Sequence, residues 1–577
     1  MDGSGAALKT DRPRPFPAAL GHTRRGWGEA FLLLPAGLFL TIFFFYPLAR
    51  ILSSALDPRL LLEQATWDVV ARALGFTVYQ AALSTLLTLI VGVPLALLFA
   101  RYRFPGQALW RALMTIPFML PTVVVAAGFN AFLGDRGWVN LALMRLLDLP
   151  KAPIPFTGTL AAVLVAHVFY NTILIVRILA HTLEHLDPRL EQAARVLGAD
   201  GWRTFRYVTF PLLRPALLAA TSLVFLFDFT SFGVILLLGG PRFATLEVEI
   251  YVQGVHLLNL PLAALLSVVQ LLCTAALAGF YSHLLGRVIT PFAPRPAEAN
   301  LRPARRWGEK LFLVGMLTLV VVLFLLPMFS VPLRSFARME AARGKRGEVH
   351  YGLTLEYYRE LFINRRSSLF YVPPLEAARN SLLYALATVF LSLALGFPAA
   401  VALAGRRRWI RGPDVLFLLP LGTSAVTLGL GFLLAFRRAV TFPWLVPLAH
   451  TLIALPLVIR TLQPAVASIP PRLREAAQVL GASPWRAWWA VEWPILWRAS
   501  LAAATFAFTV SLGEFGATLL LARPEYPTLP VAIYRFLSQP GGLNYGQAMA
   551  MTTILMAFTA GGILLMERLR PPAGGEF

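Results

Sequence analysis

Two acidic residues interrupt long apolar stretches of this sequence: Asp228 in LFDFTSFG and Glu514 in SLGEFGA. Ionisable side chains within membrane-length apolar runs are rare and are functional candidates by default. A pair of carboxylates lining a pathway through the membrane would favour a cation. The alternative is that each carboxylate accepts hydrogen bonds from nearby backbone or lies in an outer mouth. From the residues alone, both interpretations stay open.

The composition indicates that these carboxylates belong to a polytopic membrane protein. The chain of 577 residues is 57% hydrophobic and only 14% charged, whereas a soluble domain has about 25% charged residues. A net charge of +22 would suggest nucleic-acid binding in a soluble protein, but basic loops also orient membrane helices. We therefore expect contact with membrane lipid and no nucleic-acid partner. The single cysteine, Cys273, excludes an intrachain disulfide and a cysteine-based metal cluster.

Twelve apolar segments have the length of about 20 residues that a spanning helix requires. The predicted spans lie near 31–54, 75–100, 109–133, 158–180, 214–238, 260–285, 311–334, 379–404, 414–436, 444–463, 497–521 and 546–566. With both termini in the cytoplasm, most arginine-rich loops fall on the cytoplasmic side, as the positive-inside tendency expects. One basic loop, 334–350, falls outside, but long loops weigh less in this rule. The polar start of the chain does not read as a cleaved signal peptide.

The sequence repeats itself at an offset of 283 residues, which separates Gly198 from Gly481. The same offset pairs His167 with His450, Phe232-Gly233 with Phe515-Gly516 and Ile250-Tyr251 with Ile533-Tyr534. Nearer the start of each half, Gly92 and Pro94 match Gly396 and Pro398 at a slightly different offset. An even number of spans separates the copies, so both halves have the same orientation in the membrane and form a parallel repeat.

The fold class predicted from these observations is all-α, with about twelve transmembrane helices in two tandem six-helix domains related by a pseudo-twofold axis. The predicted boundaries are a cytoplasmic tail over 1–28, a first domain over 29–290, a cytoplasmic linker over 291–309 and a second domain over 310–570.

Within this repeat the two acids do not coincide. The offset pairs Asp228 with Ser511 and Glu514 with Ser231, so each half has one acid at a different position. His167 and His450 do coincide. A histidine inside a helix bundle is more often a buried hydrogen-bonding group than a ligand, and we predict that role for both.

The most polar part of the repeat is the segment EQAARVLGADGWRTFRYVTFPLL at 191–213 and its copy REAAQVLGASPWRAWWAVEWPIL at 474–496. Its apolar residues have i, i+3, i+4, i+7 spacing, which predicts a short amphipathic helix. A glycine suited to a helix C-cap follows, and Asp200 or Ser483 can cap a second helix. A loop element resting on lipid headgroups would have a similar pattern. The duplication, the shared Ala-Ala…Gly pattern and the matching cytoplasmic placement favour a pair of docking sites for a partner.

This segment resembles the EAA…G cytoplasmic loop of the permeases of binding-protein-dependent ABC importers, and the resemblance covers nearly the whole chain as two fused permease domains. In that family the loop forms coupling helices that dock into grooves on the ATPase subunits. The matching positions are Glu475, Ala476, Ala477 and Gly481 in copy two, and Gln192, Ala193, Ala194 and Gly198 in copy one. In copy one the glutamate position holds glutamine, and Glu191 lies one residue earlier.

The resemblance implies a multi-pass permease of the cytoplasmic (inner) membrane with two ATPase partners and an extracytoplasmic solute-binding protein. It implies alternating access driven by closure of the ATPase dimer. The chain itself contains no G-x-x-x-x-G-K-[ST] phosphate loop, so we predict a transport subunit that is not an enzyme and has no catalytic residue, cofactor or metal.

The substrate class stays open at this point. The segments TSFGVILLLGG and AHVFYNTILIVRIL, with the fused layout, look most like thiamine and ferric-iron permeases. The segment around Glu514 is instead similar to molybdate and sulfate permeases, whose substrates are oxyanions, so Glu514 is not a signature of a cation. We favour thiamine or ferric iron.

Two other classes compete with an importer. A secondary transporter would show discontinuous spans and coupling-ion carboxylates near the midplane, and it would not need two docking helices. A membrane-embedded enzyme would need a catalytic constellation such as HExxH, which is missing from the predicted spans.

Overall fold

Apolar helices make up most of the computed structural model, which describes residues 22–288, 301–338, 352–363, 373–404, 416–438 and 442–569. Parts of the predicted tail, linker and basic external loop lie outside the described residues, namely 1–21, 291–300 and 339–350.

The helices are numbered here in chain order. In the first half they are α1 His22–Leu40, α2 Tyr46–Ala55, α3 Pro58–Leu62, α4 Gln64–Arg101, α5 Gln107–Met119, α6 Thr122–Leu133, α7 Trp138–Leu146, α8 Leu160–Glu184, α9 Pro188–Val196, α10 Gly201–Thr204, α11 Phe210–Phe229, α12 Leu246–Tyr251 and α13 Leu260–Val288. In the second half they are α14 Trp307–Val320, α15 Leu326–Phe336, α16 Glu356–Arg359, α17 Pro374–Ala404, α18 Ala425–Ala435, α19 Leu445–Ala467, α20 Pro471–Val479, α21 Pro484–Ala487, α22 Trp493–Gly513, α23 Gly516–Leu521, α24 Leu529–Leu537 and α25 Gly542–Leu569.

Shorter elements join these helices. Five-residue π-helical turns occupy Thr41–Phe45, Phe205–Thr209, Ile235–Gly239, Val252–His256, Val321–Leu325 and Trp488–Glu492. Short 3₁₀ turns occupy Pro241–Phe243, Glu360–Phe362 and Leu419–Gly422. Two-residue strands pair in parallel as β1 Tyr102–Arg103 with β2 Arg302–Pro303, and in antiparallel fashion as β3 Ala337–Arg338 with β4 Gly352–Leu353.

The prediction of about twelve membrane helices is confirmed, with one correction. Within the described residues, ten helices are long and apolar enough to span a membrane, and two bent helix pairs complete the set if each counts as one span. The bent pairs are the third span of each half, with bends of 109° and 107°. In the first half the break lies at Leu120, which is extended because it precedes Pro121. In the second half Thr423 is extended and Ser424 caps the new helix.

The fifth span of each half also differs from the prediction. Helix α11 ends at Phe229 rather than near 238, and α22 ends at Gly513 rather than near 521. Beyond each end the chain turns and continues as a short helical segment, Ile235–Gly239 or α23. The apolar sequence is continuous across each break, so hydropathy alone did not reveal it.

The two halves pack in the same way. Helices α4, α8 and α11 form a three-helix group, and α17, α19 and α22 form its counterpart. The first span of each half crosses to the other half: α1 packs against α17, and α15 packs against α6. Repeated glycines allow the close approaches, because a Cβ added at Gly92 would lie 2.7 Å from Ile175 and one at Gly396 would lie 2.8 Å from Val458.

Candidate functional site

The repeated polar segments form two helical hairpins with the same architecture. The first hairpin comprises α9, a glycine turn and α10, over residues 188–204. The second comprises α20, a glycine turn and α21, over residues 471–487. Gly198 and Gly481 adopt φ values of +86° and +80°, a left-handed conformation that glycine reaches without steric cost.

The turn in each hairpin is a Schellman motif, in which the two residues after the last helical turn donate backward to its free carbonyls. In the first hairpin the Gly198 N–H donates to Arg195 O at 3.0 Å and the Ala199 N–H donates to Ala194 O at 3.0 Å. The second hairpin repeats both bonds from Gly481 and Ala482, at 2.9 and 3.0 Å. The predicted C-caps are therefore confirmed.

The predicted N-caps of the second helices are also present. The Asp200 carboxylate accepts from the Arg203 N–H at 2.7 Å, and the Ser483 hydroxyl accepts from the Arg486 N–H at 3.4 Å. Each cap satisfies one of the backbone donors that a helix start leaves free. Local sequence chemistry thus sets the angle between the two helices of each hairpin.

Both hairpins stand at the surface, and no residue of α9 or α20 is buried. The predicted docking residues are matched in exposure: Gln192, Ala193, Gly198, Glu475, Ala476 and Gly481 are exposed, while Ala194 and Ala477 are partly covered. Val196 and Leu197 at the first tip, and Val479 and Leu480 at the second, are 86–87% exposed. Exposed apolar groups arranged in this repeated manner are typical of an interaction surface.

An acidic side chain anchors each hairpin to the rest of the chain. The acid lies in the hairpin itself in the first half, and in the π-helical turn after the hairpin in the second half. In the first hairpin Glu191 pairs with Arg101 and accepts from the Thr209 hydroxyl at 2.7 Å. In the second, Arg474 occupies the position of Glu191 and donates to Glu492 at 2.6 Å. Glu191 therefore faces its own chain rather than a partner.

Each hairpin continues into the fifth span without an interruption. Helix α10 passes through the π-helical turn Phe205–Thr209 into α11, and α21 passes through Trp488–Glu492 into α22. Pro211 and Pro494, which we expected to mark the entry to the span, lie at the second position of the long helices, directly after the π-helical turns. A displacement of a hairpin would therefore move the fifth span with it.

Asp228 lies at the far end of α11 from the first hairpin, and it is fully buried. Its carboxylate accepts from Asn171 at 2.7 Å and from Thr85 at 3.3 Å, and His167 Nδ1 is 3.5 Å away. The Asp228 carbonyl accepts from Gln80 at 2.8 Å. The residue thus joins α4, α8 and α11.

Glu514 lies at the equivalent end of α22 and caps the short helix α23. Its two carboxylate oxygens accept from the Ala517 N–H at 2.8 Å and the Thr518 N–H at 2.9 Å. The Thr518 hydroxyl donates at 2.5 Å, and His450 Nε2 is 3.3 Å away. Glu514 is 8% exposed. A role for either acid in a transport pathway stays a prediction.

Both histidines are buried and hydrogen-bonded, as predicted. His167 has Nδ1 2.8 Å from Ser84 Oγ and Nε2 2.8 Å from Ser231 Oγ. His450 has Nδ1 2.7 Å from Ser511 Oγ and Nε2 2.7 Å from Thr518 Oγ1. His167 therefore links Ser84 of α4 to Ser231 in the break after α11, whereas His450 links Ser511 near the end of α22 to Thr518 of α23 beyond the break.

The breaks of the two fifth spans meet at the interface between the halves. Phe232 and Phe515 stack with centroids 5.8 Å apart and planes at 27°. Tyr251 packs edge-on against Phe232 and Tyr534 against Phe515, each at 5.7 Å. We name these four rings the interdomain aromatic cluster. Sequence reasoning paired these residues across the repeat but did not bring them together, because the offset gives equivalence and not proximity.

The fold and the two surface hairpins define a polytopic membrane permease built from two fused, equivalent domains. The chain belongs to the family described as binding-protein-dependent transport system inner membrane component, which matches residues 92–290 and 375–571. It is a multi-pass permease of an ABC importer in the inner membrane. Membership of this family decides against the secondary-transporter alternative.

Several curated relatives are similar over most of their length. The thiamine transport system permease protein ThiP of Salmonella typhimurium is 28% identical over 523 residues, covering 87% of this chain and 89% of the relative. The protein of the same name from Escherichia coli is 27% identical over 509 residues, with 85% and 87% covered. The probable ABC transporter permease protein y4fN of Sinorhizobium fredii is 27% identical over 513 residues, with 87% and 88% covered.

Proposed function

We propose that this chain carries thiamine across the inner membrane, receiving it from an extracytoplasmic solute-binding protein and using two separate ATPase subunits as its motor. The relatives named as thiamine permeases support thiamine over ferric iron, since they align along most of both chains. Ferric iron and the oxyanions are the competing outcomes of the test below.

The pair of hairpins is the observation that carries the motor part of the proposal. Two exposed elements with the same Schellman turn, a side-chain cap at the same position of the second helix and the same exposed apolar tip offer two equivalent docking sites. Two equivalent sites fit two ATPase subunits. In this proposal the hairpins, and with them both termini, lie on the cytoplasmic side.

The link between hairpin and membrane helix supports a mechanism of alternating access. ATP would bring the ATPase subunits together and draw the two hairpins closer. Because each hairpin is continuous with its fifth span, α11 and α22 would tilt as levers. Their far ends carry the breaks that follow Phe229 and Gly513, where the interdomain aromatic cluster joins the halves. The lever motion would separate this junction and expose the path to the opposite side.

The docking proposal is tested by changing Gly481 in the chain reconstituted with its ATPase and binding protein. A left-handed conformation costs a non-glycine residue about 1–2 kcal/mol, and asparagine tolerates it better than other residues. Gly481→Val should therefore lower thiamine-coupled ATP hydrolysis and uptake by about tenfold, while Gly481→Asn should retain most of both. A Cβ at this position meets nothing within 4 Å, so crowding inside the chain is not the cause.

Gly279→Val is a matched control, because a Cβ there also meets nothing within 4 Å and no left-handed φ is involved. Full coupled uptake in Gly481→Val would contradict the docking role of the hairpin. Uptake of ferric iron, molybdate or sulfate by the unaltered complex, without uptake of thiamine, would replace the proposed substrate and leave the importer class intact.

A further inference from the structure

Residues of both halves line a cavity of about 540 Å³ next to the interdomain aromatic cluster. Asn130 of α6, Tyr251 and His256 come from the first half, and Tyr534 and Ser538 come from the second. The other lining side chains are aliphatic. A volume within about 300–1,000 Å³, apolar walls and a few converging polar groups are typical of small-molecule sites.

The two tyrosines occupy equivalent positions in the repeat, and their phenol groups are neighbours across the interface. Tyr251 is held edge-on between Phe232 at 5.7 Å and His256 at 5.1 Å. Tyr534 is held against Phe515. The aromatic cluster therefore fixes both phenol rings where they border the cavity, so a ligand would meet them already ordered.

The polar groups of the cavity are amide, hydroxyl and imidazole groups. Among the described residues that line it, none is acidic and none is a lysine or arginine. Burial is the main reason that the pKa of Tyr251 is raised, so its phenol stays uncharged at physiological pH. Arg535 lies near Tyr251 but also interacts with Glu525, which offsets its charge. The Tyr545 hydroxyl donates to Asn130 Oδ1 at 3.1 Å and fixes the orientation of that amide.

This chemistry selects among the ligand classes. A bare metal ion would need carboxylate or several imidazole ligands, and an oxyanion is best held by cationic or multiple N–H donors. A cation spread over a heteroaromatic ring is instead attracted by the faces of tyrosine rings. Amide, hydroxyl and imidazole groups can then orient the ring nitrogens.

We propose that this cavity is a transfer site for a planar aromatic cation, held by Tyr251 and Tyr534 and oriented by Asn130 and His256. The proposal rests on the proposed function, since thiamine has this chemistry. The cavity adjoins the ends of α11 and α22 that are remote from the hairpins. A solute released by an extracytoplasmic protein would therefore reach it before passing the aromatic cluster.

The test is direct binding of thiamine to the purified full chain in lipid nanodiscs, measured by calorimetry without the binding protein. Tyr251→Leu and Tyr534→Leu keep much of the volume but remove the ring, and each should weaken binding by about tenfold. Tyr251→Phe and Tyr534→Phe keep the ring and should weaken it by less than about threefold. Tyr79→Leu is a control at an exposed tyrosine away from the cavity. Folding of every variant is checked by its thermal unfolding midpoint.

A second probe keeps the proposal testable if a leucine variant does not fold. The unaltered chain should bind thiamine at least about tenfold more tightly than the neutral thiazole half of the molecule, because only thiamine carries the ring charge. Equal binding of the two probes, or unaltered thiamine binding in both leucine variants, would overturn the proposal.

Failure of this site and failure of the proposed function give different results. If the complete importer takes up thiamine while the isolated chain shows no ring-dependent binding, the function stands and the transfer site is rejected. If the complete importer takes up no thiamine, the proposed function is rejected. The nanodisc measurement would then judge the site on its own, with ring-dependent binding supporting it and no binding rejecting it.

Discussion

The two halves of this permease place a histidine at the same point but put the neighbouring carboxylate on opposite sides of it. In the first half Asp228 lies 3.5 Å from His167 Nδ1, and Ser231 lies 2.8 Å from Nε2. In the second half the serine is at the Nδ1 side, as Ser511, and the carboxylate of Glu514 is at the Nε2 side. Aspartate and serine in one copy are thus replaced by serine and glutamate in the other.

This exchange indicates what the duplicated scaffold requires. Each half keeps a buried histidine that is hydrogen-bonded near the break of the fifth span, and each keeps one carboxylate beside it. The carboxylate can lie on either side of the histidine, provided that nearby donors form hydrogen bonds to it. The hairpins show the same freedom, since the acid that anchors them is Glu191 in one copy and Glu492 in the other.

Removing either buried carboxylate should lower the thermal unfolding midpoint more than any other substitution considered below. Asp228→Ala leaves the Asn171 amide without its acceptor and removes one of the two acceptors of the Thr85 hydroxyl, and Glu514→Ala removes the cap of α23. Each buried donor that loses its acceptor costs about 1–3 kcal/mol. We expect each variant to lower the thermal unfolding midpoint in detergent strongly, while Asp135→Ala, at an exposed position, should leave it unchanged. A shift as small as that of the control would show that the acid is dispensable.

The exchange itself can be imposed on the first half. Asp228→Ser alone should destabilise the protein, and adding Ser231→Glu should restore part of the loss, because a carboxylate then again lies beside His167. Restoration should be incomplete, since Asn171 and Thr85 face the old position, and Thr518 has no hydroxyl counterpart at Ile235. If the double variant were less stable than Asp228→Ser alone, the carboxylate position would not be interchangeable.

The features that the sequence predicted correctly are those set by local chemistry or by the repeat. The Schellman turns follow from a glycine after an amphipathic helix, and the caps follow from Asp200 and Ser483. The helix breaks at Leu120 and Phe229 were missed because hydropathy records apolar length and not backbone direction. The partners of the histidines were missed because they come from helices distant in sequence, which a single chain without geometry cannot bring together.

Substitutions where the first span of each half packs against the other half should lower the unfolding midpoint by an intermediate amount. A Cβ at Gly128 would lie 2.9 Å from the carbonyl oxygen of Pro327, while one at Gly431 would lie 3.0 Å from Pro47 Cβ and 3.1 Å from the flexible end of Ile51. Adding a methyl group to a close helix contact costs about 1–3 kcal/mol of stability. A backbone carbonyl can move away from the new Cβ less easily than the end of a side chain can. Gly128→Ala should therefore destabilise the chain more than Gly431→Ala.

Gly75→Ala is the matched control for this pair, because a Cβ there meets nothing within 4 Å. It should leave the unfolding midpoint unchanged or raise it, since alanine favours a helix by about 1 kcal/mol over glycine. Equal midpoints for the variants at Gly128 and Gly431 would mean that the two crossings are equally adaptable, and the halves would be more alike than their contacts indicate.

Substitutions at the ion pairs that anchor the hairpins should change the unfolding midpoint least. The Arg474 side chain is 52% exposed and Glu492 8%, and such partly exposed pairs contribute about 0–1 kcal/mol. Glu191 has both Arg101 and Thr209 as partners, so Glu191→Ala should lower the unfolding midpoint slightly more than Arg474→Ala. Both effects should shrink in high salt, because screening weakens the ionic part of each anchor, while the contribution of the Thr209 hydrogen bond should remain. A large, salt-independent loss in coupled uptake for Arg474→Ala would instead show that this anchor sets the hairpin position for docking, and that the two hairpins are unequal in function as well as in charge.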